Sequence, residues 1–186
     1  MGKKRTKVSR IYSAKKIDVD QFLFKDRNIF IYDYIDKEIS ATIVKQLLVL
    51  NKLNQKPIGL WINSGGGSVS DGLAIIDTIQ KIKAPVITVI NGRACSMAGI
   101  ISVAGRKRLM TKHSIWMAHD MASGDDDYVT KMLDHAEFLK DYQKKLFIFL
   151  AEHTKLSKTE LEKARNGELW LFAEDCIKKG IVDEII

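Results

Sequence analysis

The sequence predicts an α/β fold with a parallel sheet whose strands are joined by helical crossovers. Short apolar segments alternate with segments that carry apolar residues at helical spacing, and this alternation is typical of parallel sheets. The strand segments are apolar throughout, which indicates a sheet covered on both faces. With 186 residues, of which 46% are hydrophobic and 28% charged, the chain has the length and composition of one globular domain.

In the first half of the chain, strand and helix segments follow each other closely. Strands are predicted for three apolar segments, 28–35 (NIFIYDYI), 58–62 (IGLWI) and 85–90 (PVITVI). Helices are predicted between them over 40–53, with Ser40 as the N-cap, and over 69–82.

In the second half of the chain, the sequence predicts a short helix after Ser96, two strands (KRLMT and SIWMAH) and one long helix. Between residues 125 and 155, apolar residues recur at intervals of three and four and leave lysines on the other side. Such a helix exceeds the usual length of about eleven or twelve residues. Two placements stay open: the helix packs wholly on its own core, or it reaches beyond its domain to another subunit.

The formal net charge of +7 is concentrated at the N-terminus, in MGKKRTKVSRIYSAKK. We expect residues 1–16 to form a flexible basic tail and 17–186 to form one domain. Elsewhere acidic and basic residues alternate, so we expect no nucleic-acid partner. No apolar run reaches the length of a membrane span and no signal-peptide core follows the lysines, so we expect a cytoplasmic location without membrane contact.

The sequence predicts neither a metal nor a cofactor. The two cysteines, Cys95 and Cys176, lack metal or redox spacing and are expected to be reduced thiols. There is also no Cys/His cluster and no phosphate-binding loop.

Ser96 lies where a predicted strand gives way to a predicted helix, within NGRACSMAGIISVAG (91–105). Serine commonly caps a helix, because its hydroxyl accepts a hydrogen bond from a free N–H of the first turn. A serine at such a turn is also exposed beside free N–H groups that favour a developing anion, as a nucleophile requires. Ala94 and Ala98 replace the glycines of the G-x-S-x-G elbow, so this segment alone favours the cap.

Two predicted strands end in loops that are suited to an oxyanion hole. The strand 58–62 leads into NSGGGS, whose three glycines permit close approach of the backbone, and 85–90 leads into NGRACS. Because the carboxyl ends of parallel strands meet at one edge of a sheet, N–H groups of the glycine loop and of Met97 are expected beside Ser96. A plain glycine turn is the alternative.

His119 is the predicted base because it ends the strand SIWMAH, and a strand end holds a side chain rigidly beside a cleft. The other three histidines fall on the long helix or in a charged turn. The sequence pattern does not decide which carboxylate orients the imidazole of His119. Asp120 adjoins His119, but neighbouring strand residues point to opposite faces, and Glu168 in RNGELW is the second option.

Four segments in matching order resemble ClpP, the proteolytic subunit of Clp protease, within the wider ClpP/crotonase fold. They are WINSGGGSVSDGLAIIDTI, GRACSMAG, MAHD and LFAEDCIKKGIVDEII. The likeness runs from about residue 16 to the C-terminus. It implies a ClpP/crotonase-like superhelical core of repeated β-α units, with a protruding handle helix over about 127–155.

The resemblance also implies a serine endopeptidase and a role for each of five residues. Ser96 falls on the nucleophile, His119 on the general base, and Gly67 and Met97 on the oxyanion-hole amides. Glu168 holds the place of the catalytic acid, which is an aspartate in the family.

The partners implied by the resemblance are unfolded protein or peptide substrates and further copies of the chain. Family members stack two heptameric rings through their handles, enclose a chamber and receive substrate from an ATP-driven (AAA+) unfoldase. The alternative function is a non-catalytic ring subunit with the same fold. A crotonase-type acyl-CoA enzyme ranks last, because it needs no Ser–His pair.

Several departures from the family indicate a divergent member, such as a phage-encoded or accessory protein. Glu168 adds one methylene to the acid. The other departures are Asn166-Gly167 for a charged pair, Asp120-Met121 for Gln-Pro, Gly65 for a proline, and Gly59 for an aromatic residue of the pocket that docks the unfoldase.

Overall fold

The computed structural model describes residues 18–121 and 129–186, with side chains from 134 onward in the second segment. The predicted basic tail therefore lies outside the described residues. The described helices are α1 (Val19–Lys25), α2 (Lys37–Leu53), α3 (Val69–Lys81), α4 (Met97–Ser102), α5 (Val129–His153), α6 (Lys158–Arg165) and α7 (Ala173–Lys178). The described strands are β1 (Asn28–Ile31), β2 (Ile58–Ser64), β3 (Val86–Cys95), β4 (Lys107–Met110), β5 (Ile115–His119), β6 (Glu168–Phe172) and β7 (Glu184–Ile185).

The sheet has the order β1-β2-β3-β4-β7, and all of these pairs are parallel. The ten-residue strand β3 forks: Ile87–Ile90 pair with β4, whereas Arg93–Cys95 pair in parallel with β5. Strand β5 in turn pairs antiparallel with β6. The predicted α/β fold with a parallel sheet is confirmed, and the fork directs β5 and β6 to the carboxyl end of β3.

The predicted N-cap of the first long helix is wrong. Helix α2 begins at Lys37, and the carboxylate of Asp36 caps it by accepting a hydrogen bond from the N–H of Ile39 at 2.9 Å. Ser40 lies inside the helix and is buried, and its hydroxyl donates to the carbonyl of Asp71 at 2.8 Å. The serine therefore joins two helices, because its hydroxyl has a partner outside its own turn.

Two predicted strand ends also differ from the structure. The first strand ends at Ile31, and farther along Ile35 forms an isolated parallel bridge with Gly67. Strand β3 does not stop at Asn91-Gly92 but continues to Cys95. Gly92 has a φ of +113°, and a Cβ there would lie 2.7 Å from Asn63 Oδ1, so glycine lets the strand turn without ending it.

The long helix predicted over 127–155 is observed as α5. Its C-terminal part packs on the core through the buried side chains of Leu146 and Leu150. Residues 134–138 are exposed, and Phe138 keeps 59% of its surface in solvent. Placement of the whole helix on its own core is therefore wrong, and contact with another subunit stays a prediction.

The arginine at position 27 fastens the turn before β1 to the end of α2. Arg27 has a φ of +64° and donates to the carbonyls of Leu50, Asn54, Lys56 and Pro57. The carbonyl of Leu50 also accepts from the N–H of Asn54, so the guanidinium joins the last turn of α2 to the segment that follows it. In the part of the chain that the structure describes, no helix is long and apolar enough to cross a membrane.

Candidate active site

Ser96 forms a strained turn between β3 and α4. Its φ of 53° and ψ of −128° are unusual for a residue other than glycine, and its side chain forms no capping hydrogen bond. The N–H of Ser96 donates to the carbonyl of Met117 at 2.8 Å and so fixes the turn against β5. The helix-cap explanation is therefore wrong, and the geometry is that of a strand-to-helix turn that exposes a side chain.

The glycine loop lies directly against this turn. Gly66 has a φ of +102°, and a Cβ there would lie 2.6 Å from Ser96 Cβ and 3.0 Å from the nitrogen of Met97. No side chain fits between the loop and the turn. The two strand ends therefore meet as the parallel sheet predicted, and Gly66 needs to be glycine both for its φ and for this contact.

Two backbone N–H groups beside Ser96 have no partner. The bridge between Ile35 and Gly67 uses the Ile35 N–H, which donates to Gly66, and the Ile35 carbonyl, which accepts from Ser68. In a parallel bridge this pattern leaves the N–H of Gly67 itself unused. Met97 is the first residue of α4, so its N–H has no intrahelical acceptor. Within residues 18–121 and 129–186, neither N–H has a hydrogen-bond acceptor.

One cavity of about 280 Å³ brings the predicted residues together. Ser96, His119, Gly67 and Met97 all line it, and Glu168 does not. His119 stands at the end of β5 and is half-buried. Among the described residues, no hydrogen bond joins Ser96 to the imidazole; such bonds are often long without substrate and tighten when it binds.

Apolar side chains form most of the remaining wall of this cavity. They come from α3, α4 and the C-terminal half of α5: Val69, Ile100, Leu146, Phe147 and Leu150. No sequence pattern indicates this set, because its members come from three helices and are brought together only by the tertiary fold. The wall is suited to an apolar side chain of a bound peptide.

Glu168 lies directly across the antiparallel ladder from His119. Directly opposite residues project from the same face of a sheet, with Cβ atoms about 4.5–5.5 Å apart. Oε2 of Glu168 accepts a hydrogen bond from the indole Nε1 of Trp170 at 2.8 Å. Glu168 is thus adjacent to the imidazole, and this register favours it as the orienting carboxylate.

Asp120, the other option for the acid, lines the same cavity as Ser96 and His119, but its carboxylate already has a hydrogen-bond partner. Its carboxylate accepts a hydrogen bond from the side-chain amide of Gln143 on α5, and its N–H donates to the carbonyl of Gly167 at 3.4 Å. These contacts tie the end of β5 to the long helix. Gln143 is a contact that the sequence did not indicate.

Cys95 precedes Ser96 but is not a competing nucleophile. Its side chain is buried, and this burial raises the pKa of the thiol, with a small further increase from Glu168 and an opposing effect of Arg93. A buried thiol with a raised pKa stays protonated and unreactive near neutral pH.

The fold and the site together define an α/β protein with a half-buried serine on a strained turn that lines a cavity, two N–H donors without an acceptor among the described residues, and a histidine in the same cavity. The family model described as Clp protease matches residues 12–186. The chain therefore belongs to the Clp protease family, and the resemblance stated from its motifs is confirmed.

Proposed function

We propose that this chain is a serine endopeptidase of the ClpP type that cleaves unfolded proteins or peptides. One observation carries the proposal: Ser96 is held at a positive φ in the cavity that His119, Gly67 and Met97 also line, and the N–H groups of Gly67 and Met97 have no acceptor among the described residues. A strained serine beside two free donors is the arrangement that acyl transfer requires.

In the proposed reaction, Ser96 Oγ attacks the peptide carbonyl carbon while His119 accepts the hydroxyl proton. The N–H groups of Gly67 and Met97 hold the oxyanion. The C–N bond then breaks as His119 returns the proton to the leaving amine, and an acyl ester remains on Ser96. His119 next accepts a proton from water as the water oxygen attacks the ester carbon. The bond from this carbon to Ser96 Oγ then breaks as His119 returns the proton to Oγ, and the second product leaves as a carboxylic acid. Glu168 orients the imidazole and stabilises its charged form.

The apolar wall of the cavity supports a preference for an apolar residue on one side of the cleaved bond. Burial of such a side chain against Ile100, Phe147 and Leu150 removes apolar surface from water. The carboxylate of Asp120 also lines the cavity, so an aspartate in the same place meets a like charge and its burial is costly. We therefore expect peptides with leucine, methionine or phenylalanine at this position to be cleaved faster than peptides with aspartate.

We further propose a homo-oligomer of two stacked rings that encloses the active sites. The support from this chain is the surface of α5, where Phe138 and Ile148 keep 59% and 47% of their areas exposed. Large exposed apolar side chains on a long helix are suited to a subunit interface.

An AAA+ unfoldase is the proposed partner that delivers substrate. The surface around Gly59, where the family docks its unfoldase, carries Phe30 stacked on Trp61 with ring centroids 6.4 Å apart. The side chain of Asn28 fills the space above Gly59 and accepts a hydrogen bond from the Trp61 indole at 2.9 Å. This surface keeps aromatic rings but replaces one of the family's aromatic residues with a polar side chain.

The second candidate function is a non-catalytic ring subunit. One observation favours it: the described residues include no hydrogen bond from His119 to Ser96 or to Glu168. A fluorophosphonate probe separates the two functions, because it reacts with an activated serine and not with an inert one. We expect mass spectrometry to locate the probe on Ser96 of the assembled protein.

Ser96→Ala is expected to abolish labelling, whereas Ser70→Ala, which alters an exposed serine of α3 outside the cavity, is expected to leave it unchanged. An assembled wild-type protein that does not react would support the non-catalytic function instead.

A further inference from the structure

The hydrogen bond between Trp170 and Glu168 lies on the exposed face of β6. The two residues are two positions apart, so their side chains project from the same face of the strand. Leu169 and Leu171 on the other face are buried, whereas Glu168 is exposed and Trp170 keeps 50% of its surface in solvent. Water can satisfy both polar groups at such a surface, so the bond is not required to compensate for burial.

The register of β5 and β6 places this bond beside the proposed base. Glu168 faces His119 across the ladder, and Trp170 faces Met117. The carboxylate of Glu168 therefore lies next to the indole of Trp170 on its own strand and next to the imidazole of His119 on the paired strand. Its Oε2 accepts a hydrogen bond from the indole of Trp170. Within the described ranges, no residue donates a hydrogen bond to its Oε1. One oxygen is held, and the other is available to the imidazole.

A glutamate at this place needs such a restraint more than an aspartate does. The additional methylene adds a rotatable bond, and an exposed glutamate samples many rotamers. A donor on one oxygen fixes both the direction and the plane of the carboxylate. A tryptophan two positions beyond the acid can provide this donor, whereas a phenylalanine in that place cannot, because it has no polar hydrogen.

We propose that Trp170 is a positioning residue that holds Glu168 in the orientation required by His119. This inference rests on the proposed peptidase function. Trp170 touches neither the substrate nor the reacting atoms in this account, and it acts through the carboxylate alone. Its contribution is therefore expected in turnover and not in substrate binding.

The test is Trp170→Phe, which keeps an aromatic ring but removes the N–H donor. On a fluorogenic peptide with an apolar residue before the cleaved bond, we expect kcat to fall about five- to tenfold, as for loss of one typical hydrogen bond at an exposed position, and KM to stay within about twofold. In a Glu168→Ala background the same substitution is expected to cause no further decrease, because coupled residues are not additive.

Phe172→Leu is the matched control, because Phe172 is an aromatic residue on the same face of β6 and 69% exposed. It is expected to keep the kcat of the wild type. If Trp170→Phe does not assemble, benzothienylalanine introduced at position 170 serves as the second variant, since it keeps the bicyclic shape and lacks the N–H. Both variants are compared at equal oligomeric mass.

An unchanged kcat in both Trp170 variants would overturn the inference. An equal decrease in the Glu168→Ala background would also overturn it, because the indole would then act by packing alone. These outcomes test the inference only when the Ser96→Ala variant has no peptidase activity. If Ser96→Ala keeps its turnover, the proposed function fails, and the inference fails with it.

Discussion

Gly66→Ala perturbs the contact that holds the glycine loop against Ser96. The added Cβ would lie 2.6 Å from Ser96 Cβ, 2.8 Å from the carbonyl oxygen of Cys95 and 3.0 Å from the nitrogen of Met97. Two of these atoms belong to the backbone of the strained turn, so no side-chain rotation relieves the contact. The loop and the turn must move apart, and the N–H groups of Gly67 and Met97 move with them.

The size of the effect follows from these distances. Ordinary van der Waals contact with a Cβ begins at 3.4 Å, and a misplacement of about 1 Å costs about 100-fold in rate. We therefore expect kcat/KM to fall at least about 100-fold. An alanine at positive φ costs about 1–2 kcal/mol, which lowers the Tm of a chain of this length by only about 2–8 °C. Activity should thus be lost in a protein that remains folded.

The assay is peptide hydrolysis, with thermal unfolding and oligomeric mass measured on the same samples. Gly65→Ala is the matched control, because a Cβ at Gly65 meets only the guanidinium of Arg93, at 3.7 Å, and the backbone there has no positive φ. It is expected to keep at least about one third of the activity. Full activity of Gly66→Ala, or an equal loss in both variants, would refute the assigned oxyanion geometry.

Three further predictions concern the acid, the assembly and the pH dependence of stability. Glu168→Gln is expected to lower kcat by about two to three decades, less than the four decades of the serine-protease template; unchanged turnover combined with an inactive Asp120→Asn would make Asp120 the acid instead. Phe138→Glu is expected to prevent ring pairing without lowering the Tm of the subunit, because this side chain is exposed on a single chain; an unchanged mass by sedimentation would contradict the role of α5. Hydrogen bonds from Lys179 and Ser157 lower the pKa of Glu160 from 4.5 to about 2. Because the folded-state pKa is depressed, this stabilisation is complete above pH 4.5 and is lost as the pH falls towards 2. The decrease in Tm over this range should be smaller in Glu160→Gln, and equal decreases would contradict the assignment.

Local sequence patterns predicted the parallel sheet and the meeting of its two loops. The apolar runs at 58–62 and 85–90 have a strong strand signal, and a parallel sheet then requires their ends to share an edge. Ser96, Gly67 and Met97 therefore line one cavity, as the sequence predicted. Their catalytic roles stay predictions.

The pairing of β5 with β6 could not be predicted, because strand register depends on tertiary packing. This register places Glu168 opposite His119. The hydrogen bond from Gln143 to Asp120 depends on the packing of α5, which is also a tertiary contact. The prediction of Ser40 as the N-cap of α2 was wrong for a similar reason, because its hydroxyl donates a hydrogen bond to Asp71, which lies 31 residues away in the chain on another helix. The bond from Trp170 to Glu168 gave no signal in the sequence either, because it depends on side-chain rotamers.

The most direct test of the central claim is a crystal structure of the protein with a peptide boronate, which imitates the tetrahedral intermediate. We expect a covalent bond from Ser96 Oγ to boron. One boronate oxygen should lie within about 2.7–3.1 Å of the N–H nitrogens of both Gly67 and Met97, with an apolar side chain of the peptide in the cavity beside Ile100 and Phe147. A boronate that stays unbound at saturating concentration, or that binds Ser96 with its oxygens away from both N–H groups, would contradict it.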